Sequence, residues 1–171
     1  MRIYIVGPGG SGKSTLAQKL GIHYDIPVVH LDELQWQEGW NENEEYKNLQ
    51  KQAVGTDDWI IEGSSVSILK LMIHRVDGII ILNHLPLGNI IRIIRRFLRG
   101  ILGKEKRIGW NKKIPNELRQ DFLLNTAIWR TRQLPRIREN IQESVLVSRV
   151  IEIHSPKNMF EKVCREIKKV M

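Results

Sequence analysis

The amino-acid sequence predicts an α/β fold in which a five-stranded parallel sheet lies between two layers of helices, and three features of the chain support it. Short apolar runs alternate with longer stretches of helical periodicity. Several of the short runs are apolar at consecutive positions, as strands covered on both faces tend to be. Each run is bounded by Gly, Pro, Asp or Asn, the residues that punctuate a chain. At 171 residues the chain is long enough to bury a proper core, and one domain over 1–171 is expected.

The expected strands are 2–6, 27–31, 59–62, 78–83 and 150–154. Helices are expected at 13–22, 42–54, 65–76, 87–99, 116–143 and 157–170, the fifth broken or kinked near Pro135. Segment 100–115 holds three glycines and five Lys/Arg and reads as a mobile basic loop. There is no internal repeat, low-complexity segment or interdomain linker.

Composition narrows the function classes. No run of about 18 apolar residues exists, so no membrane-spanning helix is expected. Residues 1–6 are strand-like and lead straight into glycines, unlike a signal peptide. The single cysteine, Cys164, sits in a helical pattern with no partner at metal-ligand spacing and reads as structural. A reducing, cytoplasmic setting is the expectation. The net charge of +8 is uneven: residues 1–91 carry −4, residues 92–138 carry +11 and residues 139–171 carry +1. A segment as basic as 92–138 attracts phosphate, whether of a nucleotide or of a nucleic acid.

Gly7-Pro8-Gly9-Gly10-Ser11-Gly12-Lys13-Ser14 satisfies G-x-x-x-x-G-K-[ST] at every fixed position. The motif follows a strand and opens a helix, the context a phosphate-binding loop requires. Gly7, Gly9, Gly10 and Gly12 let successive backbone N–H groups turn inward around an anion, with Ser11 between them and Thr15 just beyond. The helix that follows points its positive dipole end at the same anion. Lys13 brings a full charge to the β- and γ-phosphates, and the Ser14 hydroxyl is placed to ligate Mg²⁺. ATP with Mg²⁺ is therefore the expected ligand of a three-layer P-loop NTPase fold.

Other P-loop branches fit poorly. A GTPase switch needs an Asp followed by Gly three residues on, and none follows the loop. Asn111-Lys112-Lys113-Ile114 lacks the Asp that guanine reading places fourth. An ATPase motor ends its acidic strand in paired acids, whereas 59–62 ends in Glu62-Gly63. A phosphotransferase fits better, because it needs only positioning and charge neutralisation of the transferring group. Arg92, Arg95, Arg96 and Arg99 recur at spacings that place three of them on one helical face, as in an arginine-bearing lid spanning about 92–115. The same arginines also suit a solvated basic face.

His30-Leu31-Asp32-Glu33-Leu34-Gln35-Trp36, followed by Gly39-Trp40, resembles the H-L-D-x-L-x-W-x-x-G-W signature of the DNA topology modulation (FlaR-type) proteins. The resemblance continues through Trp59-Ile60-Ile61-Glu62-Gly63, Arg75-Val76-Asp77, the apolar strand 79–82 and Arg92-Ile93-Ile94-Arg95-Arg96. It implies the adenylate-kinase-like branch, a nucleoside-monophosphate-kinase-like fold with sheet order 2-3-1-4-5, and kinase activity toward an undefined acceptor. Two positions depart from the family pattern. Gly63-Ser64-Ser65 stands where Gly-Asn-Tyr is usual, and Asn83 stands where Asp is frequent.

The candidate site residues follow from both readings. Asp32 either faces an acceptor hydroxyl or a water on Mg²⁺, or caps a turn. Glu62 stands where this branch keeps a carboxylate behind Mg²⁺, so Ser14 and Glu62 form the expected metal pair. Lys13, Asp32, Arg92, Arg95 and Arg96 are the candidate catalytic residues. Trp36 and Trp40 either stack on a base or pin their loop over the core. Arg75 suits a phosphate contact or a cap on its own helix, the second being preferred. Ser155-Pro156-Lys157 follows the last strand, where this fold often holds adenine. The five histidines show no metal spacing; His30, His84 and His154 sit at strand ends.

Two functions emerge. The first is a kinase moving the γ-phosphate of MgATP to a nucleoside, nucleotide or other small molecule. The alternative is an ATP-dependent DNA-associated protein that uses the basic 92–138 segment, with weak nonspecific DNA binding lost near physiological salt. No membrane partner is expected.

Overall fold

The computed structural model describes residues 1–37, 41–64, 66–101, 120–142 and 149–170. Its strands are β1 (Arg2–Val6), β2 (Val28–His30), β3 (Trp59–Gly63), β4 (Gly78–Leu82) and β5 (Val150–Ile153), all parallel, in the order β2-β3-β1-β4-β5. Helices α1 (Lys13–Tyr24), α2 (Leu31–Gln35), α3 (Tyr46–Gly55), α4 (Ser67–Met72), α5 (Pro86–Ile101), α6 (Gln120–Gln142) and α7 (Met159–Val170) connect and cover them. The expected α/β class and sheet order are both present.

Side chains alternate along a strand, so each central strand feeds two cores. On one face Ile3, Ile5, Ile60, Ile80 and Leu82 pack with Leu16, Ala17 and Leu20 of α1 and with Val163 and Ile167 of α7. On the other, Tyr4, Val6, Ile61, Ile79 and Ile81 meet Val54 of α3, Ile68, Leu69 and Met72 of α4, and Trp129, Leu134, Ile137 and Ile141 of α6. That double coverage is why the strands read as continuous apolar runs.

Several boundaries differ from expectation, each for a local reason. The second strand ends at His30, because Leu31 turns into α2 and buries its side chain against Gly63. The third helix starts at Tyr46, not residue 42, since the Asn43 side chain accepts from the Glu45 N–H at 3.1 Å and its carbonyl accepts from Tyr46 N–H at 2.9 Å. Such an Asx turn competes with helix at 43–45. Helix 65–76 contracts to α4. The expected break at Pro135 is absent: α6 runs through it, with Leu134 and Ile137 buried on either side. The carbonyl that loses its helical partner there belongs to Thr131, which is exposed to solvent. The loop expected over 100–115 lies outside the described residues beyond 101, the last residue of α5.

Two helical glycines give opposite expectations. A Cβ on Gly21 would meet Val28 Cγ2 at 2.4 Å and the Ile26 carbonyl at 2.9 Å, while one on Gly55 meets nothing within 4 Å. Gly21→Ala should lower stability by about 1–3 kcal/mol through overpacking. Gly55→Ala should raise it by about 0.5–1 kcal/mol through reduced chain entropy. Urea midpoints of the two variants check this, and a shift of the same sign in both contradicts it.

Candidate functional site

In a parallel sheet all strand ends of one kind share an edge, and the strand order sets β1 between β3 and β4 at that edge. The chain leaving β1 at Gly7 therefore turns between Glu62, the penultimate residue of β3, and Leu82, the end of β4. Gly10 and Gly12 adopt φ of +68° and +91°, backbone that side chains with a Cβ rarely take. Gly12 then caps α1, whose first turn carries no acidic residue, so the amide end of the helix is left for an anion.

The expected phosphate-loop residues are thus on one turn. Lys13 folds back over it, Nζ donating to the Pro8 carbonyl at 3.1 Å. Ser11 is buried, and its Oγ has no hydrogen-bond partner among the described residues. Thr15 is exposed on the first turn of α1. Ser14 Oγ donates to Glu62 Oε1 at 2.9 Å, and His30 Nδ1 lies 2.7 Å from the same oxygen.

Glu62 is only 4% exposed. Burial pushes its carboxyl up, but the His30 hydrogen bond, the Lys13 and His30 charges and the Ser14 hydroxyl outweigh that and hold it below its ordinary value. Burial pulls the His30 imidazole down, and its bond to Glu62, with the charges of Glu62, Glu33 and Asp32, raises it on balance. Each group of the pair thus favours the charged form of the other. Sequence reasoning placed His30 at a strand end without a role; the β2–β3 register, in which His30 pairs with Glu62, supplies one.

Asp32 is half-buried in the first turn of α2, two residues past His30. Trp36 is half-buried and bridges to Glu42, while Trp40 lies outside the described residues. Arg75 does form a cap, but on another helix than expected: it donates to the Gly55 and Thr56 carbonyls at the end of α3, at 3.1 and 3.2 Å. Ser155 and Lys157 are exposed beyond β5, joined by a Lys157 N–H to Ser155 Oγ bond of 3.3 Å.

Of the four candidate lid arginines, Arg92 is bonded to the loop. Its Nε donates to the Gly10 carbonyl at 2.7 Å and its Nη2 donates to Asn89 Oδ1. Burial lowers the Arg92 guanidinium from its ordinary value. Arg96, one turn on, is half-buried, and Arg95 is exposed. Asn89 is fully buried, and a Cβ on Gly10 would stand 2.5 Å from its carbonyl oxygen. From α6, Phe122 and Thr126 close over Gly9, where a Cβ would meet them at 2.7 and 2.8 Å. Asn89, Phe122 and Thr126 gave no sequence signal, because their contacts bridge distant parts of the chain.

Asn83 also has a partner. Its Nδ2 donates to Glu152 Oε1 at 2.6 Å, and Arg138 of α6 donates to both Glu152 oxygens at 2.9 and 3.0 Å. An Asp at 83 would set a second carboxylate against Glu152, which gives the Asn a reason to stand there.

The fold is shared with solved structures of P-loop kinases. No family model matches the chain. Shikimate kinase from Acinetobacter baumannii in complex with shikimate superposes with a TM-score of 0.66 at 14% identity, covering 98% of this chain and 93% of that one. A gluconokinase from Sinorhizobium meliloti gives 0.58 at 11% identity, covering 98% and 91%. Deoxyadenosine kinase from M. mycoides with bound dATP gives 0.55 at 15% identity, covering 98% and 100%. The likeness extends over the whole of each fold. Among the described residues no helix is long and apolar enough to cross a membrane.

His84, 2% exposed at the start of the β4–α5 connection, yields a pH prediction. Burial first, then the charges of Arg92 and His154, push its imidazole from its ordinary 6.5 down to about 4, the Ser11 backbone opposing only in part. The unfolded chain thus binds this proton before the folded chain does, and stability falls as pH drops from 6.5 to about 4. At about 1.4 kcal/mol per unit, wild type should lose up to about 3 kcal/mol more than His84→Gln across that window. Urea titrations at pH 7, 5.5 and 4 measure it, and parallel profiles for the two proteins refute it.

Proposed function

We propose that this chain is an ATP-dependent phosphotransferase that moves the γ-phosphoryl group of MgATP to a hydroxyl of a small molecule. The observation that carries the reading is the Ser14 hydroxyl, fixed beside the loop by a hydrogen bond to the buried, ionised Glu62. In that arrangement the Ser14 O–H donates its hydrogen bond to Glu62 and the oxygen keeps its lone pairs for a cation. A loop with two left-handed glycines, a buried unpartnered Ser11 hydroxyl and a helix amide end fits a polyphosphate. The likeness to a shikimate kinase, a gluconokinase and a deoxyadenosine kinase supports the reaction class, and the 30–40 signature supports the topology-modulation branch within it.

Bound MgATP supplies the phosphoryl group and a metal charge that offsets those of its oxygens. Gly7, Gly9, Gly10, Ser11, Gly12, Lys13, Ser14 and Thr15 hold the phosphates, while Ser14 and Glu62 hold the Mg²⁺ and its shell. Lys13 leaves the Pro8 carbonyl for the phosphates, exchanging a neutral acceptor for charged ones. Asp32 orients the acceptor hydroxyl and takes up its proton as the new P–O bond forms and the bridging P–O bond breaks. Arg92, by gripping the Gly10 carbonyl, keeps the amides of the loop turned inward; Arg95 and Arg96 meet the transferring charge from the lid.

MgATP at about 100 times its dissociation constant should raise stability by roughly 2.7 kcal/mol. Lys13→Ala should remove most of that gain, read by thermal melting and titration calorimetry. Equal affinity in both proteins refutes the role of Lys13, and absence of any triphosphate binding refutes the proposed function. With a turned-over substrate in hand, loss of Arg95 or Arg96 should lower kcat by tenfold or more at nearly unchanged ATP affinity, because the contact forms in the transition state. Steady-state kinetics checks this, and a loss confined to ATP affinity contradicts it.

A further inference from the structure

We propose that His30 is a positioning residue of the metal site: its Nδ1–H clamps the Glu62 oxygen that Ser14 also bonds, tying the segment that carries Asp32 to the Mg²⁺ ligand through one carboxylate. This rests on the phosphotransferase reading above.

The register sets the pair in place. β3 lies between β1 and β2, so Glu62 sits beside Ile5, whose strand runs into the phosphate loop, and beside His30, whose strand runs into α2. Ser14 Oγ, from the first turn of α1, and His30 Nδ1, from the end of β2, both reach Oε1, at 2.9 and 2.7 Å. An ionised carboxylate only accepts, so Nδ1 carries the proton. Two donors on one oxygen fix the rotation of the carboxylate, and with it the direction in which the Ser14 lone pairs point. Without His30, a buried Glu62 either takes up a proton or swings to another donor, and the Ser14 hydroxyl loses its fixed acceptor.

A second contact makes the tie rigid. Leu31, next in the chain, buries against Gly63, where an added Cβ would stand 2.7 Å from Leu31 Cδ1. The first residues of α2 are therefore held to the end of β3 by His30 on Glu62 and by Leu31 on Gly63. Asp32 follows directly, so its position relative to Ser14 is set through Glu62 and not through the long connection between them. The His-Leu-Asp order has a physical reading: a clamp, an anchor and a carboxylate presented by both.

The test uses the full chain. ATP affinity is measured by calorimetry in excess Mg²⁺ and in EDTA for wild type, His30→Ala, His30→Asn and Glu62→Gln, with thermal melts beside them. The Asn amide N–H stands close to where Nδ1–H stood and can restore the bond. His30→Ala should lose tenfold or more of the affinity gained from Mg²⁺, with less than twofold change in EDTA. His30→Asn should recover to within threefold of wild type, and Glu62→Gln should match His30→Ala. A merely structural role lowers the melting temperature and leaves the Mg²⁺ gain intact, which overturns the proposal. Equal losses in His30→Ala and His30→Asn, or equal losses with and without Mg²⁺, overturn it as well. If His30→Ala does not fold, the decision falls to His30→Asn and Glu62→Gln: an Asn variant near wild type beside a Gln variant that has lost its Mg²⁺ gain supports the clamp, and any other pairing overturns it. Wild type without triphosphate affinity removes the phosphate-site reading and this role together, an outcome distinct from all the others.

Discussion

A carboxylate removed from water must be met by donors, and Glu62 is the carboxylate around which this edge of the sheet is organised. It sits where three strands end side by side, with a helix amide end nearby and apolar cores on both faces. One donor reaches it from α1 and another from the end of β2, so two loops of different origin share an acceptor. The phosphate loop, the start of α2 and the centre of the sheet are thereby one unit. The chain spends buried charge at the point where function needs alignment, while the packed cores supply the stability.

What the sequence made legible, it did so through local regularity. The strands were readable because double coverage makes them continuously apolar, and the phosphate loop because its glycines and Lys13 hold fixed spacing. The order of strands came from the resemblance and not from periodicity. Contacts between distant segments had no such signature. Arg92 finds Gly10 across 82 residues and Asn83 finds Glu152 across 69, pairs that no window of the sequence contains. Arg75 was read as a cap on its own helix because helix ends are local; its carbonyl partners lie 20 and 19 residues back. Pro135 misled for the converse reason, since tertiary packing on both sides of it outweighed a local break.

The basic stretch from 92 to 138 also changes meaning once placed in space. Arg92 holds a backbone carbonyl of the loop and Arg138, at the surface, is paired with Glu152, so two of its charges have partners within the chain. Residues 102–119 lie outside the described structure. What is described of the stretch is a pair of helices, α5 and α6, packed on each other and on the phosphate loop.

Helix α6 spans from the phosphate loop to the sheet edge, with its middle packed in the core. Near one end Phe122 and Thr126 rest on Gly9; near the other Arg138 is bonded to β5 through Glu152. Phe122 and Arg138 are 16 residues apart, about 24 Å along a helix at 1.5 Å per residue. A tilt of about 10° around Arg138 therefore sweeps Phe122 through about 4 Å, the width of a side chain. Pro135 lies one turn from that fulcrum, and a helix is most compliant where a missing amide breaks its hydrogen-bond ladder. The same tilt moves Trp129, which is buried in the core nine residues from Arg138, so the cover over Gly9 and the packing of α6 against the sheet are one linked arrangement.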